Sequence, residues 1–322
     1  MCTAISFHAT DHYFGRNLDI ESSYGEKVVI MPRKYPLIFH SGDILDSHFA
    51  MIGMSAIVDN YPLFYDATNE HGLSIAGLNF PGNAFYTNPS NAAKSIAPFE
   101  LIPWILAQCK TAAETVALLK NVIIADIPYS SSLPLTPLHW IISDDQECYV
   151  IEPMKDKLHI HFNEIGVLTN NPPFPFHRDN LTQYMTLSHD IPGNRFAPKI
   201  DLMPFSKGMG AFGLPGDLSS PSRFVRAAFI KENTLCDTQD HAVAQFFHIL
   251  QSVQQPKGCT HSIEGYEFTL YSSCCDTRRS IYYYTTFENT QINAVHMRHA
   301  DLESSTLSVY PLIRKENINN IN

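Results

Sequence analysis

The sequence predicts an α+β fold in which two antiparallel sheets are covered by helices. Strand-like alternation fills both ends of the chain, helical periodicity lies between them, and the connections within each strand group are short. In chain order, residues 3–9 place Ile5 and Phe7 on one face, and Phe14-Gly15-Arg16-Asn17-Leu18-Asp19 follows shortly after Asp11 and His12. That spacing predicts two strands joined by a tight turn. Thr111-Ala112-Ala113-Glu114 has capping-box spacing, with hydroxyl and carboxylate each satisfying an orphan amide, and Val116, Leu118 and Leu119 continue it as a helix. Residues 138–169 read as a meander: apolar runs at 138–142, 148–151, 158–162 and 166–169, separated by turn residues such as Ser143-Asp144-Asp145. Ser220-Pro221 fits a cap and first-turn proline for a helix over about 222–232. Val243, Phe246, Phe247 and Leu250 fall at helical spacing, so 240–253 should bury one stripe. A last strand group runs through Tyr266, Phe268 and Leu270, then 281–287, then 292–297. Residues 181–221 are rich in turn residues and poor in periodicity, which suits a structured excursion better than a domain boundary.

Composition narrows the function. With 322 residues, 44% of them hydrophobic and 17% charged, the chain has ample material for a buried core, and disorder is excluded. A formal charge of −10 argues against a nucleic-acid partner, which needs a basic footprint. Asp11, Arg16, Asp19 and Glu21 interrupt the first 25 residues, so no signal-like apolar segment is expected there. Apolar runs such as 122–125 and 140–142 are far too short to span a bilayer, so no membrane association is expected. Seven cysteines cannot all pair, which speaks for a reducing, cytoplasmic setting.

Among possible chemistries, a metal centre is disfavoured. Neither paired CxxC spacing nor HExxH occurs, His159 and His161 share one strand face without further ligands, and Cys274-Cys275 read as alternating strand residues. Gly208-x-Gly210-x-x-Gly213 matches a dinucleotide fingerprint only literally, because no strand precedes it and no helix opens on it. No metal and no cofactor are therefore expected. Cys2 offers more. Methionine is trimmed before small side chains, which would leave a cysteine with a free α-amino group of pKa about 7.7 to 8.0 beside a thiol of about 8.5. Arg16 would favour the thiolate and Asp19 would hold the amine. Two blander readings stay open: Cys2 as a small buried hydrophobe, and Arg16 with Asp19 as a surface ion pair.

Five motifs in register then carry a resemblance: Met1-Cys2-Thr3, Phe14-Gly15-Arg16-Asn17-Leu18-Asp19, Ala76-Gly77-Leu78-Asn79-Phe80-Pro81, Gly166-Val167-Leu168-Thr169-Asn170-Asn171-Pro172, and Gly213-Leu214-Pro215-Gly216-Asp217 with Ser222-Arg223-Phe224. Together, and with Tyr282-Tyr283-Tyr284 and Asn289-Thr290-Gln291-Ile292-Asn293-Ala294, they resemble the conjugated bile acid (choloylglycine) hydrolases. That family also holds penicillin V acylases and belongs to the amino-terminal nucleophile (Ntn) hydrolases. The resemblance implies a four-layer αββα sandwich forming one domain over 1–322, with an excursion at about 181–221 that assembles a homotetramer. It implies Cys2 as nucleophile, Arg16 beside the thiolate, Asp19 orienting the amine, the Asn79 backbone amide and Asn170 side chain as oxyanion donors, and Arg223 supporting the cluster. Asn79 and Asn170 taken alone read as turn formers where φ turns positive. The substrate implied is a small-molecule amide, a glycine- or taurine-conjugated bile salt, in an apolar pocket of Leu18, Val58, Tyr129 and Leu133. Leu18 stands where family members often have Met, Val58 is smaller than the aromatic in some, and Gly258-Cys259-Thr260 lies in the loop tied to glycine versus taurine preference. The rival readings are a penicillin V or N-acyl-homoserine lactone acylase with the same site, and a non-catalytic sterol or acyl-chain binding protein.

Overall fold

The computed structural model describes residues 1–89, 94–236 and 238–322. In chain order the strands of its two large sheets begin with β1 (Cys2–His8), β2 (His12–Ile20), β3 (Lys27–Met31), β4 (Met51–Val58), β5 (Tyr61–Asn69), β6 (Ser74–Asn79), β7 (Leu138–Ser143) and β8 (Cys148–Pro153). They continue with β9 (Leu158–Phe162), β10 (Val167–Leu168), β11 (Thr260–Ser262), β12 (Gly265–Asp276), β13 (Ile281–Thr286), β14 (Asn293–His296) and β15 (Ser308–Pro311). The first sheet runs β10-β1-β2-β12-β13-β14, with β11 against β12; the second runs β9-β8-β7-β6-β5-β4-β3-β15. Every pairing within them is antiparallel.

Helices α4 (Ser220–Asn233) and α5 (Gln239–Gln251) cover the outer face of the first sheet, and α1 (Leu101–Leu106) with α2 (Ala112–Leu119) covers that of the second. The result is the αββα sandwich. Side-chain period two explains why an inner strand such as β3 is buried on both faces. In β3, Val28 and Ile30 enter the core between the sheets while Val29 and Met31 enter the core under α1 and α2. No helix among the described residues is long and apolar enough to cross a membrane.

Several expectations shift in detail. The first three runs of the predicted meander pair as β7, β8 and β9, but the fourth, β10, leaves that sheet and pairs with β1. This crossing delivers Asn170 to the strand that begins with Cys2. Thr111 caps α2 by accepting the Glu114 N–H at 3.1 Å, while the Glu114 carboxylate takes the N–H of Lys110, one residue before the cap. Helix α4 starts with Ser220 already inside it and Ser219 at the cap. Asp217 accepts from the Ser219 N–H and the Ser222 hydroxyl, which leaves the Ser220 hydroxyl free for other work. Between α3 (Phe174–Asn180) and α4, the described residues form only two 3₁₀ turns, Leu181–Tyr184 and Met209–Ala211.

Candidate active site

The site is built where β1 begins. Cys2 pairs with Leu18 and Ala4 with Arg16, so all four side chains share the face of the first sheet that looks toward the second. Cys2 is buried, and Arg16 has no exposed surface. The Arg16 guanidinium crosses the gap: its Nη1 donates to the Gly77 carbonyl at 2.5 Å and the Tyr65 carbonyl at 3.1 Å. Its Nη2 is buried with no hydrogen-bond partner among the described residues. Burial opposes this charge, but Cys2, Tyr271, Asp66 and Asp19 outweigh it and push the guanidinium above its usual range. Asp19 is three residues along the strand and therefore faces the opposite side, where its carboxylate accepts from Thr269 Oγ1 at 2.6 Å and Gln255 Nε2 at 3.3 Å. Opposite faces and complete burial overturn the reading of Arg16 and Asp19 as a surface ion pair.

A second buried guanidinium arrives from α4. Arg223 Nη1 donates to the Cys2 carbonyl at 2.5 Å and Thr3 Oγ1 at 2.6 Å, Nη2 to Asn170 Oδ1 at 2.8 Å, and Nε to the Leu218 carbonyl at 3.0 Å. Burial lowers its affinity for the proton, and Asp19, Cys2 and Glu267 counter only part of that effect. Asn170 Oδ1 also accepts the backbone N–H of Cys2 at 2.7 Å. Its Nδ2 therefore points the other way, donating to the Asn79 carbonyl at 2.8 Å, and its own N–H rests on Ser220 Oγ at 2.9 Å. Asn79 is the last residue of β6 and Asn170 follows β10, and neither has the positive φ of a turn former. The Met1 ammonium occupies the space beyond Cys2, 2.7 Å from the Asp19 carbonyl and 2.6 Å from Glu267 Oε1. Glu267 is pushed up by burial, against the pull of that ammonium.

A thiol backed by two buried guanidiniums and adjoining asparagines is equipped for acyl transfer. A model of the linear amide C–N hydrolases of the choloylglycine hydrolase family matches residues 2–310. The chain belongs to this family. A bile salt hydrolase/transferase from Lactiplantibacillus plantarum is 51% identical over 314 residues, 97% of each chain. Among solved structures, a variant of the conjugated bile acid hydrolase from Clostridium perfringens matches with a TM-score of 0.93 at 37% identity, over 100% of both chains. A penicillin V acylase from Agrobacterium tumefaciens shares the fold, with a TM-score of 0.78 at 19% identity over 98% of this chain and 94% of its own.

For a choloylglycine hydrolase-family chain the expected pocket residues are distributed as follows. Leu18 lies buried beside Cys2 in the inter-sheet core. Val58 ends β4, and its carbonyl accepts from the Tyr129 hydroxyl at 2.9 Å; the Tyr129 ring also packs on Tyr61 and Phe99. Leu133, half-buried, sits in the same loop as Tyr129, in a turn closed by Ser130. Two surface hollows, one beside His8, Asp11, His71 and Arg278 and one beside Ile160, Phe162, Phe174 and Arg178, are lined by none of these residues. What singles out the Cys2 cluster is its chemistry.

Sequence reasoning missed the groups behind it. Asp66 on β5 accepts the hydroxyls of Tyr271 at 2.8 Å and Tyr282 at 2.6 Å; burial pushes its carboxyl up, while Arg16 and those hydroxyls pull it down. Its signal was a lone acid inside the apolar strand Leu63-Phe64-Tyr65-Asp66-Ala67. Glu267, Gln255 and Thr269 had no comparable signal, since they meet only through the fold.

Proposed function

We propose that this enzyme hydrolyses the amide bond between a bile acid and glycine or taurine, with Cys2 as nucleophile and a thioester acyl-enzyme as intermediate. The observation that carries the reading is the start of β1, where the Cys2 nitrogen meets Asn170 Oδ1 and its carbonyl meets Arg223, with Arg16 on the same face. Removal of Met1 turns that nitrogen into an amine. The amine takes the thiol proton, and Sγ attacks the amide carbon; Arg16, with its unpartnered Nη2, favours the thiolate. The Asn79 backbone N–H and Asn170 Nδ2 receive the oxyanion, Nδ2 leaving or sharing the Asn79 carbonyl as it does so. The ammonium then gives its proton to the departing amine of glycine or taurine. Water, deprotonated by the same amine, cleaves the thioester and releases the bile acid with the thiol restored.

Asp19 serves the amine through its carbonyl and carboxylate, and Arg223 locks the Asn170 amide. Leu18, Val58, Tyr129 and Leu133 supply apolar contacts to the steroid body. We place this chemistry in the cytoplasm, in a single domain over 1–322 that assembles as a homotetramer through about 181–221. Taurocholate, glycocholate, penicillin V and an N-acyl-homoserine lactone, each given to purified protein and to its Cys2→Ala variant, test the reading. Release of glycine or taurine by wild type alone is expected. Cleavage of penicillin V alone overturns the substrate while keeping the nucleophile; a fully active protein whose intact mass includes Met1 overturns the mechanism; steroid binding without turnover favours the binding-protein alternative.

A further inference from the structure

His139 lies in β7, wholly buried, between the two segments assigned above as oxyanion donors. Its Nε2 is 2.8 Å from the carbonyl oxygen of Thr169, the residue before Asn170. Its ring stacks on Phe80, the residue after Asn79, with centroids 4.1 Å apart and planes 6° from parallel. Its Nδ1 is 3.1 Å from Glu152 Oε1, which also accepts the Phe174 N–H at 2.9 Å. A carbonyl oxygen only accepts, so Nε2 carries a hydrogen. An ionised carboxylate also only accepts, so a hydrogen bond at Nδ1 calls for a hydrogen there as well. Burial works against the Glu152 charge, but the hydrogen bonds from His139 and His161, with the Phe174 amide, hold its carboxyl down at about 2.

We propose that His139, as an imidazolium paired with Glu152, is a positioning residue that holds the strand ends bearing Asn79 and Asn170 at the spacing the oxyanion requires. This rests on the oxyanion assignment made under the proposed function. His139 touches no substrate; it acts by fixing the Thr169 carbonyl on one side and Phe80 on the other. The titratable groups facing the pair are His161 on β9, 3.5 Å from Glu152 Oε2, and His177 on α3, with Arg223 on α4 beyond it. His177, which donates through Nε2 to the Asn170 carbonyl at 2.9 Å, is kept neutral by burial, its pKa pushed down to about 4. Of these two buried rings, His139 faces a carboxylate and His177 a backbone carbonyl.

The test compares His139→Leu and His139→Gln by kcat and KM. Rates are expressed per reactive Cys2 thiol, titrated with iodoacetamide against a Cys2→Ala blank. We expect His139→Leu to lose kcat on the order of tenfold or more, a fraction of what removing an oxyanion donor costs, with KM little changed. His139→Gln, still able to donate to the Thr169 carbonyl, recovers part of it. A merely structural role would lower the melting temperature and the number of reactive thiols without lowering kcat per thiol. His139→Leu turning over at the wild-type rate per thiol overturns the proposal. Should neither variant fold, nitrogen-15 spectra of histidine-labelled wild type decide: both ring nitrogens of His139 protonated at neutral pH support it, and a neutral tautomer overturns it. A wild type that cleaves no amide sinks the functional reading instead, while the ring's protonation stays readable.

Discussion

The hydrogen bonds at Asn170 leave its side-chain amide a single orientation, because both partners of Oδ1 are donors that cannot face an NH2. That is what gives one side chain leverage over the whole site. Asn170→Ala should lower kcat by a hundredfold to a thousandfold, about 2.7 to 4 kcal/mol of transition-state stabilisation, with an unchanged far-ultraviolet circular dichroism spectrum. A variant that keeps near-wild-type turnover would exclude Asn170 from the oxyanion site. Arg16 makes a different prediction. Arg16→Gln removes the cation that shares a face with the thiol, so the alkylation of Cys2 should shift to higher pH; an unmoved profile would detach Arg16 from the thiolate. Burial pushes the thiol of Cys109 up to about 11 and those of Cys148 and Cys275 up to about 12, so these three should not contribute to that profile. That Cys2 and Arg16 share a face was legible in sequence, because strand geometry brings neighbours in the chain together. Asp66 and Glu267 were not, because their partners lie more than two hundred residues away, at Tyr271, Tyr282 and Met1.

At the scale of elements, the site depends on strands approaching more closely than side chains normally permit. A Cβ on Gly15 would lie 2.0 Å from the carbonyl oxygen of Ser273 and 2.6 Å from its carbon, both backbone atoms of β12. Gly15→Ala must therefore push β2 away from β12, and Arg16, the next residue, moves with it. We expect a loss of about 1 to 3 kcal/mol or more, read by thermal denaturation, together with lower kcat in whatever folds. Equal stability would mean that the sheet accommodates the methyl group by sliding. The Ser220-Pro221 signal placed α4, and periodicity placed α5, each to within two residues. It did not reveal the crossing of β10, because a strand of two residues, Val167 and Leu168, carries too few positions to declare which sheet it joins. The cap of α4 lies one residue before the expected Ser220, whose hydroxyl holds the Asn170 N–H rather than the helix end.

For the molecule as a whole, acid should act through buried histidines. Burial, with His8, pushes His12 down to about 3, and burial pushes His177 down to about 4. Both folded values lie below the unfolded value of about 6.5, so the unfolded chain binds more protons and stability falls as pH drops from about 6.5 toward 3. Asp66 and Glu267, raised by burial, act in the opposite sense, so the clean readout is a variant: His12→Gln should flatten the fall in melting temperature between pH values of about 7 and 4. An unchanged slope would remove His12 from the account. We expect assembly through the excursion before α4, where Met185, Phe196, Met203, Phe205 and Phe212 are each 79% exposed or more. Soluble monomers seldom leave so many large apolar side chains uncovered in one segment, and a second copy of the same chain is the cover that the family resemblance implies. Light scattering should therefore give about four times the 36.3 kDa chain mass. Replacing Phe196 and Phe205 together with Ser should lower that mass while leaving circular dichroism intact, because neither side chain contributes to the core. A wild-type mass of one chain would mean that this apolar arm is covered by something other than its own kind.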